Sequence, residues 1–316
     1  MGVHKSTPTF FFALLDFIMD EIDFLEQLFP KLTKDQSVIV GPGDDCAAIA
    51  WSESHLQLLA VDQVVAEQHF TRDTAPERVG RKLLARNLSD IAAMGGTPRY
   101  ALTTVAADES YSQDYHDRVM GGILSLAKDF NLHVIGGDIS GLPQGYNATL
   151  TIIGEVAVDQ VVLRSTAQVG DAVFATGKFG DSFLSEHHLD FFPRVKEGQW
   201  LAENSFATAM LDVSDGVLMD LGRIAKASSV DILLDVKQIP PRRTGLALKN
   251  ILADGEDYEL IFTVSSLRKD ELLKHWPFKT EITCIGEVLK AGIGIIFDAE
   301  DQDLRRQVDV FSHFKD

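Results

Sequence analysis

Short apolar runs that stop on aspartate or glycine, with stretches of helical period between them, constrain this chain more than any other feature. Leu56-Gln-Leu-Leu-Ala-Val61 stops at Asp62, and Leu132-His-Val-Ile135 runs into Gly136-Gly137-Asp138. Residues 209–213 lead in the same way to Ser214-Asp215-Gly216. Runs of this length suit strands, and further strands are expected at 101–106, 147–153, 172–176, 258–264 and 293–297. From 74 to 93 the period changes: Val79, Leu83, Leu84, Leu88 and Ile91 recur at helical intervals, with Pro76 in the first turn. Thr74 and Glu77 have capping-box spacing there. Helices are also expected at 113–130 and 216–227, the latter capped by Ser214 or Asp215. Strands and helices alternate in both halves, so the fold class is α/β (α+β). The turn Val169-Gly170-Asp171 puts the domain junction near 155–170.

Composition narrows the function. A chain of 316 residues with 45% hydrophobic side chains is long enough for two domains. Lys and Arg number 29 against 47 Asp and Glu, a net charge of -18, the wrong balance for neutralising a phosphate backbone, so nucleic acid is not an expected partner. Cys46 and Cys284 are the only cysteines, which excludes a disulfide framework and a four-cysteine zinc site and points to a reducing, cytoplasmic setting. The apolar stretch from Phe10 to Met19 is too short for a bilayer and carries Asp16, so no membrane partner is expected. It also lacks a small-residue cleavage site. Met19 is a second possible initiator, and residues 1–18 are read as an uninformative extension.

The acids carry the chemistry. Asp44 and Asp45, Asp62, Asp138, Asp212 and Asp215 stand at or near element ends, while Asp90 lies on a helix with Asn87 one turn earlier. Singly, each is an ordinary turn or cap residue. Together, several at strand termini point to a shared site for a hard cation, since carboxylates that converge without one repel and take up protons. No Walker-type loop, Gly-x-Ser-x-Gly elbow or His-x-x-x-His pair occurs. Gly177-Lys-Phe-Gly180, expected to precede a helix, is half of a dinucleotide fingerprint, and His187-His188 is read as a solvated pair.

In order and combination these motifs resemble those of thiamine-monophosphate kinases, members of the PurM-like superfamily of ATP-dependent enzymes. The matching segments are Gly43-Asp-Asp-Cys-Ala47, Val61-Asp62 through Glu67-Gln-His69-Phe70, Asn87-Leu-Ser-Asp-Ile-Ala-Ala-Met94-Gly, Gly136-Gly-Asp138, Asp212-Val-Ser-Asp-Gly216 and Gly255-Glu-Asp-Tyr-Glu-Leu260. The resemblance implies a PurM-like N-terminal ATP and Mg domain (19–155) that pairs with its copy in a homodimer, and a C-terminal α/β domain (160–316). ATP and several Mg2+ ions would lie between them, and thiamine monophosphate would become thiamine diphosphate. It further implies Asp45, Asp62, Asp90, Asp138, Asp212 and Asp215 as metal ligands, with Asp62, Asp90 and Asp138 central to catalysis. Gly137, Asp138, Arg164 and Ser214 would meet ATP, and His69, Glu256 and Phe311 the thiamine phosphate. Ala60-Val61 departs from the hydroxyl pair usual in the family. Two other readings stay open on sequence: another PurM-like ATP-dependent enzyme, and a protein that binds nucleotide or thiamine phosphates without turnover.

Overall fold

The structure, a computed structural model, describes residues 21–32, 35–306 and 308. The chain forms two compact units. The first, residues 1–33 with 312–316, contains in its described part helix α1 (Glu21–Leu28) and a 3-10 turn at Phe29–Lys31. The second, residues 34–311, holds two six-stranded sheets and everything discussed below.

The first sheet consists of β1 (Val38–Val40), β2 (Ala47–Ala50), β3 (His55–Val65), β4 (Thr97–Ala107), β5 (His133–Gly141) and β6 (Tyr146–Ala157). Its order is β1-β2-β3-β6-β4-β5, antiparallel except at the β4–β5 edge. β6 alternates buried and half-buried residues along its whole length, so one face is packed and the other open. On the packed face lie α2 (Pro76–Ala93) and α3 (Gln113–Asp129), the latter capped by the Ser112 hydroxyl.

The second sheet contains β7 (Asp171–Thr176), β8 (Ala207–Asp212), β9 (Val230–Leu234), β10 (Leu260–Ser265), β11 (Ile282–Ala291) and β12 (Ile296–Phe297), in the order β12-β9-β11-β7-β10-β8. Every residue of β7 is buried. Ala172 and Phe174 join the apolar cluster that contains α2, whereas Val173 and Ala175 join a second cluster with α6 (Val217–Ala227). Covering on both faces explains why this strand reads as a continuous apolar run. The remaining helices are α4 (His187–Asp190) and α5 (Val195–Glu203), both against α2, α7 (Leu248–Ala253) against α6, and α8 (Lys269–His275).

Several local expectations are corrected. No side chain caps α2: Ala75 is its N-cap, and the Thr74 hydroxyl accepts from the Thr71 amide instead. Gly216, not Ser214 or Asp215, caps α6, because a φ of 107° there suits a residue without a side chain. Gly136-Gly137-Asp138 is not a turn but the middle of β5. Gly180 leads into turns, not directly into a helix. His188 is buried, its Nδ1 3.1 Å from the Ser182 carbonyl, so the histidine pair is not solvated.

Candidate active site

Helix α2 is central to the site because it is buried on more than one side: Lys82 and Asn87 are fully buried and Ser89 nearly so. One polar line along it, Lys82, Arg86 and Asp90, recurs every four residues and so shares a helical face.

At its C-terminal end Asp90 meets Asp45, from the turn before β2, and Asp212, the last residue of β8. One carboxylate oxygen of each lies within 4.8 Å of the others; Asp212 is buried, Asp45 and Asp90 half-buried. Ser89 donates its hydroxyl to Asp212 at 2.5 Å. Burial, then the charges of Asp62, Asp212 and Asp45, push the Asp90 carboxyl well above the usual range. Burial and Asp45 do the same to Asp212. Crowded carboxylates of this kind repel unless a cation or protons intervene, and three oxygen donors at this spacing fit a hard divalent ion such as Mg2+.

Arginines flank the acids. Arg164 grips Asp45 through two nitrogens, at 3.0 and 2.6 Å, and its backbone amide donates to Asp44 at 3.1 Å. Its Nε and one terminal nitrogen are thereby engaged by the acids. Burial and Asp45 raise the pKa of Asp44 to about 6. Asp62, on β3, contacts Arg86 at 3.3 Å. Asp215 pairs with Arg223, which also holds Asp220, and Asp220 accepts from the Asp215 amide at 2.9 Å.

One turn before Arg86, the Lys82 ammonium donates to Glu256 at 2.6 Å and to the carbonyl of His69 at 2.7 Å. Burial lowers its pKa to about 8 against the pull of Glu256. His69 Nδ1 accepts from the Val65 amide at 3.1 Å. Glu256 is presented by an unusual loop: Glu256 and Tyr258 both have positive φ, 53° and 51°. Gly255 precedes them because a Cβ there would lie 2.8 Å from the Ser214 carbonyl. The Glu256 amide donates to that same carbonyl at 2.7 Å, which ties the loop to Ser214. Tyr258 stacks on Phe191, centroids 4.2 Å apart.

A groove of about 600 Å³ opens under the β5 edge, lined by Gly137 and Asp138, by Thr103 of β4 and by His116, Met120 and Leu124 of α3. Gly137 allows a close approach, since a Cβ would lie 2.0 Å from the Thr103 carbonyl. Register relates this groove to the acids: Thr103 and Asp62 both face Leu150 of β6, one from either side. At strand spacing that separates them by roughly 10 Å.

The structure thus brings together Asp45, Asp90 and Asp212, with Asp62 adjacent through Arg86. Asp215 and Ser214 lie on the neighbouring loop, and His69 and Glu256 meet through Lys82. Asp138 is not in this cluster: it pairs across from exposed Thr104, whereas Gly137 pairs with buried Thr103, so alternation turns the carboxylate to the outer face. Phe311 lies outside the described residues. Val61 is 62% exposed on that outer face, so a hydroxyl at 61 would not point at the cluster. Sequence reading passed over Lys82, Arg86 and Asp220. The signal for the first two was present in the four-residue recurrence of charge along a helix whose other faces are apolar.

The fold that carries this carboxylate cluster is of the PurM-like class: residues 43–156 match the family model "AIR synthase related protein, N-terminal domain". The thiamine-monophosphate kinase of Bacillus subtilis (strain 168) is 32% identical over 329 residues, spanning 94% of this chain and 100% of the relative. That of Escherichia coli (strain K12) is 32% identical over 333 residues, with 93% and 98% covered. Among solved structures, "AaThiL complexed with AMPPCP and TMP" superimposes with a TM-score of 0.80 at 26% identity, covering 93% of this chain and 97% of that one. The chain belongs to the thiamine-monophosphate kinase family.

Proposed function

We propose that this protein transfers the terminal phosphoryl group of ATP to thiamine monophosphate, forming thiamine diphosphate. The observation that carries the reading is the convergence of Asp45, Asp90 and Asp212 beside the Lys82–Glu256–His69 group, in a chain whose relatives bear this activity by name. The likeness to a solved structure that holds AMPPCP and TMP supports it.

The acceptor is a phosphate monoester, already ionised at neutral pH, so no side chain need remove a proton before attack. What opposes reaction is repulsion between two polyanions, and catalysis reduces to alignment and charge compensation. Divalent cations bound at Asp45, Asp90 and Asp212, with Asp62 and Asp215 as neighbouring ligands, would supply that compensation. The groove beside Gly137 and Asp138 suits the nucleotide, its phosphates running toward Asp62 across β4 and β6. Asp138, assigned to the nucleotide and its metal by the motif likeness, stands on the β5 edge beside that groove and would have to turn its carboxylate in from the outer face to take part. Ser214 joins the nucleotide side through its loop, Arg164 sets the charge and position of Asp45, and His69 and Glu256 face the thiamine phosphate, with Phe311 assigned to the same substrate.

The same reading extends to organisation. Residues 19–155 and 160–316 form the two PurM-like domains, the protein acts in the cytoplasm, and the open face of the first sheet pairs with a second copy. Val61, Tyr100 and Leu102 lie on that face, each more than a third exposed. No described helix is long and apolar enough to cross a membrane.

Incubation with ATP, Mg2+ and thiamine monophosphate tests the function. Thiamine diphosphate is expected from the wild type, with Asp90→Asn lowering the rate by about 100-fold or more and Asp138→Asn also slowing it. Nucleotide binding with no product would sink the kinase reading. Unchanged rates in both variants would sink the ligand assignment.

A further inference from the structure

Arg86 has no role in the assignments above, yet its surroundings are those of a group awaiting an anion. Other buried arginines of this molecule close tightly on a carboxylate: Arg164 on Asp45 at 2.6 Å, Arg194 on Glu259 at 2.6 Å and Arg242 on Asp257 at 2.7 Å. Arg86 does not. Its two carboxylate contacts are loose, 3.3 Å to Asp62 and 3.9 Å to Glu256, against the 2.7–2.9 Å usual for charged pairs. One terminal nitrogen donates to the Gln63 carbonyl at 2.9 Å, and Nε is buried with no acceptor.

An orphaned donor on a charged group costs free energy that a bound oxygen would restore. A second orphan stands beside it. Tyr258 is 2% exposed, its hydroxyl has no partner, and its ring lies 6.0 Å from the Arg86 guanidinium. The Arg86 side chain keeps 12% exposure, although its Nε is enclosed.

Arg86 lies one helical turn from Asp90 on one side and one turn from Lys82 on the other. It therefore stands between the acids assigned to the donor phosphates and the Lys82–Glu256–His69 group assigned to the acceptor. An in-line transfer needs the acceptor phosphate between those two sets. A planar guanidinium with spare N–H groups matches two oxygens of a monoester, which a point charge does not.

We propose that Arg86 binds the phosphate monoester of the acceptor, using the donors that its loose pairing with Asp62 and Glu256 leaves unspent, and so selects phosphorylated over phosphate-free substrates. This rests on the kinase reading for the identity of the acceptor. Binding is measured by calorimetry with AMPPCP present, using thiamine monophosphate and thiamine as probes, on wild type, Arg86→Gln and Arg86→Lys. Arg86→Gln is expected to weaken thiamine monophosphate roughly 10- to 100-fold. Thiamine and AMPPCP should bind as before. Arg86→Lys should recover part of the loss, and so should methylguanidinium added to Arg86→Ala.

Equal losses for thiamine and its monophosphate, or no loss for either, would overturn the assignment, as would a matching loss of AMPPCP binding. If Arg86→Gln fails to fold, Arg86→Lys decides: it keeps a charge beside Asp62, so wild-type affinity for the monoester would refute a role for the guanidinium fork. A wild type that binds the monoester through Arg86 but makes no thiamine diphosphate would end the kinase reading alone.

Discussion

Individual ionisable residues are where this molecule departs furthest from an ordinary soluble domain. Burial holds the Asp257 carboxyl at a pKa of about 7, although Arg242 pairs with it, and Asp220 also reaches about 7. An acid whose pKa is raised on folding keeps a proton that the unfolded chain has already released. Stability from such groups is therefore full below about pH 4, the unfolded value, and falls as pH rises toward 7. Carboxylates held low by partners, such as Glu77 beside Arg118 and Glu271 beside Arg268, act in the opposite sense but only below their ordinary pKa. Between these limits burial also holds the His187 imidazole down at about 4 and lowers that of His188, which favours higher pH, but the raised acids Asp44, Asp220 and Asp257 outnumber them and set the slope. Urea unfolding in the presence of chelator should give a larger free energy at pH 5 than at pH 7, and Asp257→Asn should flatten that difference. A wild-type curve that climbs over this interval would contradict the assignment.

Among the elements, α2 does most to join structure and chemistry, and its interior lysine shows the cost of that arrangement. Removing Lys82 leaves Glu256 without its closest charge in a largely buried setting, an imbalance worth about 3–5 kcal/mol. Lys82→Met should lose stability on that scale in denaturant titrations. Lys82→Met combined with Glu256→Gln should regain part of it, because the unpaired charge is gone. Additive losses would mean the pair is not coupled. Strand β5 offers a second test. Gly137→Ala places a methyl group against the Thr103 carbonyl, so β5 must move away from β4. Weaker AMPPCP binding with an intact second sheet is the expected result, and unchanged affinity would argue that the nucleotide lies elsewhere.

At the scale of the whole molecule, the open face of the first sheet is the feature that a single chain leaves unexplained. Trp51 and Val61 are 65% and 62% exposed, and Leu102 stands on the same side, an apolar display that monomeric proteins rarely keep. Pairing of two such faces would cover it. Leu102→Asp should shift the sedimentation coefficient from dimer to monomer while the second sheet stays folded. A wild type that sediments as a monomer at micromolar concentration would remove the dimer from the proposal.

Sequence alone determined the alternation of strands and helices, the helical period of 74–93, and the family motifs. Each depends on residues near one another along the chain. It also named Asp45, Asp90 and Asp212 among the acids expected to share a cation site, from their places at or near element ends and from the motif likeness. Tertiary structure decided which acids meet, because Asp45, Asp90 and Asp212 come from a turn, a helix end and a strand end that only packing brings within 4.8 Å. It also turned Asp138 away, since strand alternation depends on a register that no local pattern records. Arg86 and Lys82 gain their meaning only from packing, because the 255–258 loop and the end of β3 close over that face of α2, and desolvation makes their pairing, or the lack of it, informative.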